Sequence, residues 1–326
     1  MLTFNPFRVL AVIALSCWLA SCAPYRSVTP PTDFYIVTVE PGDTFSSIAL
    51  RYLKDPAQGW LISEFNRTEN LRPGQTVLVP IFPYRMGGVT REGYQVVTVL
   101  AYRWEEPSDE DAARKALEGF RRQMALLREE GYHVISLPQL MSFLDFDVLP
   151  PLHTVVITFD DPKADFYKTA YPVLRQFGYP AALFVQTERV GTDGRLSWSQ
   201  LHDLSRNGLN VESRGLARTR LSRTAVGESF DRYLTALEQE LVQSRIAIET
   251  QIGRTCRFFA YPSGEAKSLV AAFAEKAGYE AAFTLQAEPV PFFADRFRLG
   301  RTAVSPTQDA AAFRRQLHVF KRNSAS

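Results

Sequence analysis

Sulfur and imidazole are scarce in this chain: its 326 residues include 3 cysteines and 4 histidines. Three cysteines cannot build a disulfide framework, and four scattered histidines leave little material for a zinc site. No field of one sign is present either. The 37 Lys+Arg residues face 35 Asp+Glu, a net charge of +2 that argues against nucleic acid as a partner. The apolar run from Val9 to Trp18 is too short to span a hydrocarbon core. What remains is the balance of a globular protein, with 46% hydrophobic and 22% charged residues. The length allows two domains, or one large α/β domain with an appendage.

The first residues read as a targeting segment rather than as part of the fold. Arg8 is the only charge before Cys22, and the Val9–Trp18 run ends in Leu19-Ala20-Ser21-Cys22. This pattern resembles the lipobox of bacterial lipoproteins. The resemblance implies that residues 1–21 are removed, that Cys22 carries lipid, and that the membrane is a partner. Ala23 in place of Asp favours the periplasmic face of the outer membrane. Residues 22–34 hold three prolines and no periodicity, as a tether would. Cys256 then stands as the single free thiol, a small buried hydrophobe.

From Tyr35 the pattern is strand, helix, helix, strand. Tyr35–Val39 is β-branched and aromatic, and Pro41-Gly42-Asp43-Thr44 turns the chain and offers a helix cap. Ile48, Ala49, Tyr52 and Leu53 recur at helical spacing, and a second short helix fits Gly59–Asn66. Leu71-Arg72-Pro73-Gly74-Gln75 leads into the strand Thr76–Val79. Residues 35–80 thereby resemble the LysM module. The resemblance implies binding of N-acetylglucosamine-containing glycans such as peptidoglycan, in a groove with Gly42, Asp43, Thr44 and Phe45 facing Asn70, Leu71, Arg72 and Pro73.

Residues 81–95 are Gly-punctuated and read as a linker. Beyond them, in residues 96–326, strands are expected at 96–102, 154–158, 181–185, 209–213, 257–260, 281–284 and 298–304, with helices at 112–130, 166–177, 230–248 and 269–277. Val155-Val156-Ile157 is a continuous β-branched run, as in a parallel strand buried on both faces. The alternation predicts an α/β fold, a distorted (β/α) barrel, with chemistry gathered where strands end. Those ends carry Tyr102-Arg103, Asp160-Asp161, Ser213-Arg214 with Arg218, and Tyr261-Pro262-Ser263-Gly264. Adjacent carboxylates could serve as base and metal ligand. They could equally cap a helix, with Pro162 at its first position.

The stretches VVTVLAYR, LPPLHTVVITFDD, YPVLRQFGYPAALFV, RFFAYPSGE and AEKAGYEAAFTL resemble NodB-type polysaccharide deacetylases, carbohydrate esterase family 4. The resemblance implies removal of acetyl groups from N-acetylated glycans, with zinc held by Asp-His-His and a neighbouring Asp as base. Carried over, Asp160 falls on the base and Asp161 on the metal-binding Asp. The histidine pair is replaced by Arg214 and Arg218, an earlier histidine by Arg103, and the tyrosine of a later motif by Ser263. The late Leu-x-His motif is not recognisable. A guanidinium has no lone pair to give a metal. These arginines are instead expected to pair with Asp160 and Asp161, leaving no zinc. Two functions follow: a peptidoglycan-binding lipoprotein whose deacetylase-like domain is a degenerate binding module, a pseudoenzyme, or an active N-deacetylase with zinc on non-standard ligands.

Overall fold

A computed structural model describes residues 34–80, 88–90, 92–105, 108–192, 194–222, 224 and 226–322. The expected leader, Cys22, nearly all of the tether and part of the expected linker lie outside the described residues.

The first unit is β1 (Phe34–Thr38), α1 (Phe45–Leu53), α2 (Gly59–Phe65) and β2 (Thr76–Pro80). The two strands are antiparallel, with Thr38 opposite Thr76 and Phe34 opposite Pro80. Thr44 opens α1 because its hydroxyl accepts the Ser47 N–H, while the Ser47 hydroxyl accepts the Thr44 N–H. Val37, Ile48, Leu53, Ile62, Val77 and Val79 form the core between strands and helices. Gly59 lets α2 start against α1, since a Cβ there would lie 2.8 Å from the Phe45 carbonyl carbon and the Ser46 nitrogen. Asn66 locks the last strand: its amide donates to Ile62 O and Leu78 O, and its oxygen accepts the Leu78 N–H.

The second unit runs through β3 (Gly93–Tyr102), α3 (Glu110–Glu129), β4 (His133–Ile135), α4 (Leu137–Leu144), β5 (Thr154–Asp160) and α5 (Ala170–Phe177). It continues with β6 (Ala182–Val185), α6 (Trp198–Arg206), β7 (Asn210–Ser213), α7 (Phe230–Ile252), β8 (Phe258–Ala260) and α8 (Ser268–Lys276). Last come β9 (Ala281–Phe283), β10 (Val290–Pro291), β11 (Thr302–Val304), α9 (Ala310–Arg314) and β12 (Phe320–Arg322). Parallel pairing orders the sheet β3-β5-β6-β7-β8-β9. On the other side of β3 lies β11, also parallel, and Leu299 just before it bridges Phe283 of β9. The sheet therefore curls back towards its first strand.

All seven β5 residues are buried. Val155, Ile157 and Phe159 pack into one apolar cluster with the helices, whereas Val156 joins a second cluster with Val99, Phe184, Phe258 and Phe283. Alternation with period two places Asp160 on the Val156 side, within the curl. The expected strands all exist, with ends moved by a few residues. β3 starts at Gly93, inside the expected linker. Helix α5 starts at Ala170 rather than Phe166, because Pro172 is tolerated only in a first turn and a 3-10 turn at Ala164–Tyr167 precedes it. The patterning did not anticipate β10 and β12, which pair antiparallel with the first half of β3.

Glu212 in β7 is 2% exposed, and one of its oxygens accepts the N–H groups of Arg257 and Phe258, both at 2.9 Å. Burial dominates over these donors and pushes its carboxyl up to about 8. A folded value above the unfolded one means that the native state holds the extra proton between them. Stability should therefore fall as pH rises from about 5 towards 8. Urea midpoints at pH 5 and pH 9 should show this decline in the parent, and Glu212→Gln should reduce it. An unchanged pH slope in the variant would refute the assignment to Glu212.

Candidate functional site

β5, β6 and β7 lie side by side, so the residues after them meet at one end of the sheet. Asp161 follows β5 in the left-handed region, at φ 42°. Asp is one of the few residues that adopts this conformation, and here surrounding bonds over-determine it. Its N–H donates to Phe184 O at 2.8 Å, and its carbonyl accepts Arg195 Nη1 at 2.8 Å. Its Oδ1 accepts the Gln186 N–H at 2.7 Å, and its Oδ2 accepts Arg214 Nη1 at 2.5 Å.

Arg214 leaves the end of β7 and is itself 6% exposed. Its Nη2 donates to Pro262 O at 2.7 Å, and its Nε lies 3.5 Å from Asp160 Oδ2. Arg301 is the central side chain of the cluster. It is fully buried, donates from Nη1 and Nη2 to the two Asp160 oxygens at 2.7 and 3.0 Å, and reaches Thr158 Oγ1 and Thr284 O. Its guanidinium carbon also lies 5.1 Å from the Phe184 ring centre. Arg301 was absent from the expected set, although a signal existed. An arginine inside an otherwise apolar strand segment, residues 299–304, must find a buried partner.

Arg218 corrects the expectation that four-residue spacing brings both arginines of β7's loop to the carboxylates. It pairs with Glu228 instead. The reason is the loop's backbone: Glu240 of α7 accepts the N–H groups of Leu216, Ala217 and Arg218, which fixes where the side chain leaves. Arg103 also stays apart, exposed and 3.3 Å from Glu105 at the rim. Ser263 is half-buried, and the cavity wall beside Arg214 is Pro262 rather than Ser263. That cavity holds about 170 Å³. A wider groove of about 570 Å³, lined by Tyr167, Tyr171, Arg175 and Asp203, lies elsewhere and gathers no catalytic set.

A zinc hydrolase needs three protein ligands and an open position for water. These residues do not fit that need. The Asp161 oxygens are occupied by Arg214 and the Gln186 N–H, Asp160 is held by Arg301, and Arg103, Arg189 and Arg195 beside them are donors only. Among the described residues, no three His, Cys, Asp or Glu side chains are grouped to hold a metal. His153 stacks on Tyr132, His133 and His202 lie on β4 and α6, and His318 is tied through its backbone to Thr98. Asp160 is poorly placed as a base. Burial pushes its carboxyl up, but Arg301 and Arg214 more than offset this and hold it below its ordinary value. Both of its oxygens are already engaged by Arg301.

In the small unit, the strand register brings the loops after β1 and before β2 to one end, joined by Val39 N–H to Gln75 O and Gly74 N–H to Val39 O. Gly42, Asn70, Arg72 and Pro73 are exposed there, and Phe45 and Leu71 pack partly on the core. Asp43 serves the fold. Its carboxylate accepts Arg51 at 2.8 Å, the Ser47 hydroxyl and the Glu40 N–H. Thr44 is likewise committed to its cap, so Asn70, Arg72 and the backbone at Gly42 are the groups left for a ligand.

Comparison with known proteins agrees with this division. The LysM domain model matches residues 37–80, and the polysaccharide deacetylase model matches residues 149–282. YxkH of Bacillus subtilis (strain 168), described provisionally as a polysaccharide deacetylase, is 25% identical over 63% of this chain and 71% of its own. The poly-beta-1,6-N-acetyl-D-glucosamine N-deacetylase of Escherichia coli (strain K12) is 25% identical over 57% of this chain, which spans only 34% of that enzyme. The solved structure of a Streptococcus pyogenes deacetylase, bound to acetate, shares the fold with a TM-score of 0.61 at 20% identity, covering 69% of this chain and 99% of that one. The chain thus carries a LysM domain at residues 37–80, followed by a polysaccharide deacetylase domain of the NodB type matched over residues 149–282.

Proposed function

We propose that this protein is a cell-envelope lipoprotein that grips peptidoglycan through its LysM domain and carries a deacetylase-fold domain without metal-dependent hydrolysis. One observation carries the reading. The two carboxylates that would serve as base and metal ligand are both spent on buried arginines, Asp160 on Arg301 and Asp161 on Arg214. In this reading the second domain binds glycan without cleaving it. The lipid on Cys22 holds the chain at the periplasmic face of the outer membrane, a proposal that rests on the Leu19–Cys22 pattern alone. The retention of Asp160 and Asp161 favours the alternative, an active N-deacetylase working with non-standard ligands.

The experiment combines binding and turnover. Purified full-length protein and a variant lacking residues 35–80 are incubated with peptidoglycan, pelleted, and the supernatants assayed for acetate. The full chain should sediment, the deletion should sediment clearly less, and neither should release acetate above the blank with or without added zinc. Equal sedimentation of the deletion would refute the LysM assignment. Zinc-stimulated acetate release, abolished by Asp160→Asn, would establish the alternative.

A further inference from the structure

Arginines surround the carboxylate pair in excess of what the pair needs. Arg103, Arg189, Arg195 and Arg214 line the 170 Å³ cavity with Glu105, Asp160 and Asp161, and Arg301 lies behind Asp160. Five guanidiniums against three carboxylates leave this pocket positively charged. The surplus is not used up internally. Arg189 has no ion-pair partner among the described residues. The buried Nε of Arg195 finds no hydrogen-bond acceptor, and that of Arg214 has only the long contact to Asp160 at 3.5 Å. An anionic group in the cavity would offset this surplus of positive charge.

A second cavity of about 490 Å³ shares Arg103, Asp160 and Arg214 with the first. Its other walls include the exposed side chains of Leu285 and Ala303, a surface suited to the apolar face of a sugar ring. We infer that the site takes a carboxylate borne on a sugar, its anionic group among Arg103, Arg189 and Arg195 and its ring against Leu285 and Ala303. A planar carboxylate matches the guanidinium fork. A single charge also suits a pocket that keeps three carboxylates of its own. This inference rests on the reading of the domain as a non-hydrolytic glycan binder, and it names the glycan as an acidic one.

Calorimetric titration of the full-length protein with glucuronate, glucose and acetate, at low ionic strength, tests it. Glucuronate should bind saturably, acetate at least tenfold more weakly, and glucose not measurably. Because Arg103 is exposed and Arg189 only half-buried, Arg103→Gln with Arg189→Gln should fold normally and weaken glucuronate at least tenfold. Binding of glucose comparable to glucuronate, or full affinity in the double variant, would overturn the assignment. Acetate binding as tightly as glucuronate would overturn the sugar part of it. Acetate release from peptidoglycan by the same preparation would instead defeat the non-hydrolytic reading, whatever the titrations show.

Discussion

Arg301→Met should lower the folding stability of the second domain by about 3–5 kcal/mol, the usual result of removing one partner from a buried ion pair. Arg301 has no exposed surface and engages both oxygens of Asp160, which is itself 6% exposed. Methionine fills much of the volume but leaves Asp160 with only the longer contact to Arg214, at 3.5 Å. The expected loss is therefore electrostatic more than steric. Urea unfolding, followed through the tryptophans at 104 and 198 in a Trp60→Phe background, reports on this domain. Adding Asp160→Asn to Arg301→Met removes the stranded charge and should restore at least half of the lost stability. A loss below about 1 kcal/mol in the single variant would mean that the pair behaves like an exposed one, and that water reaches it.

Arg214→His combined with Arg218→His should leave the metal content well below one zinc per chain, because Glu240 holds the backbone at 218 and directs its side chain away from Asp161. Gln186 brings the backbone at 218 near Asp161, but not the side chain there. Its backbone N–H donates to Asp161 Oδ1, and its side-chain amide donates to Arg218 O. Removal of Arg214 also frees Asp161 Oδ2, which now accepts Nη1 of that guanidinium. Even so, the double variant should release no acetate from chitooligosaccharides, since Arg301 still holds both oxygens of Asp160. Metal analysis after dialysis and an acetate assay read the two halves separately. A gain of one zinc per chain would show that the loop held by Glu240 can still present both imidazoles to Asp161. Acetate release would show that Asp160 can act as a base while paired with Arg301.

Much of the architecture was written in periodicities that need no partner to be read. The apolar run Val155–Ile157 identified a strand buried on both faces, and the alternation of such runs with amphipathic stretches identified the curled parallel sheet. The turns and caps of the small domain were legible for the same reason. Thr44 and Ser47, three residues apart, form their capping box from local contacts alone. The antiparallel strands β10 and β12 were not legible, being two and three residues long and placed by their pairing with β3.

By itself, the sequence determined the order of the two domains and the strands that lead into Asp160 and Arg214. These follow from composition and spacing along one chain. Only the tertiary structure decided which arginine meets which carboxylate. Arg301 reaches Asp160 across 141 positions of sequence because β11 pairs with β3 and the sheet curls round to bring them face to face. Arg218, four residues from Arg214, turns away because Glu240 on α7 holds its backbone and Glu228 takes its charge. Ion pairing depends on the position and direction of side chains in space, and sequence spacing dictates those only within a single regular element.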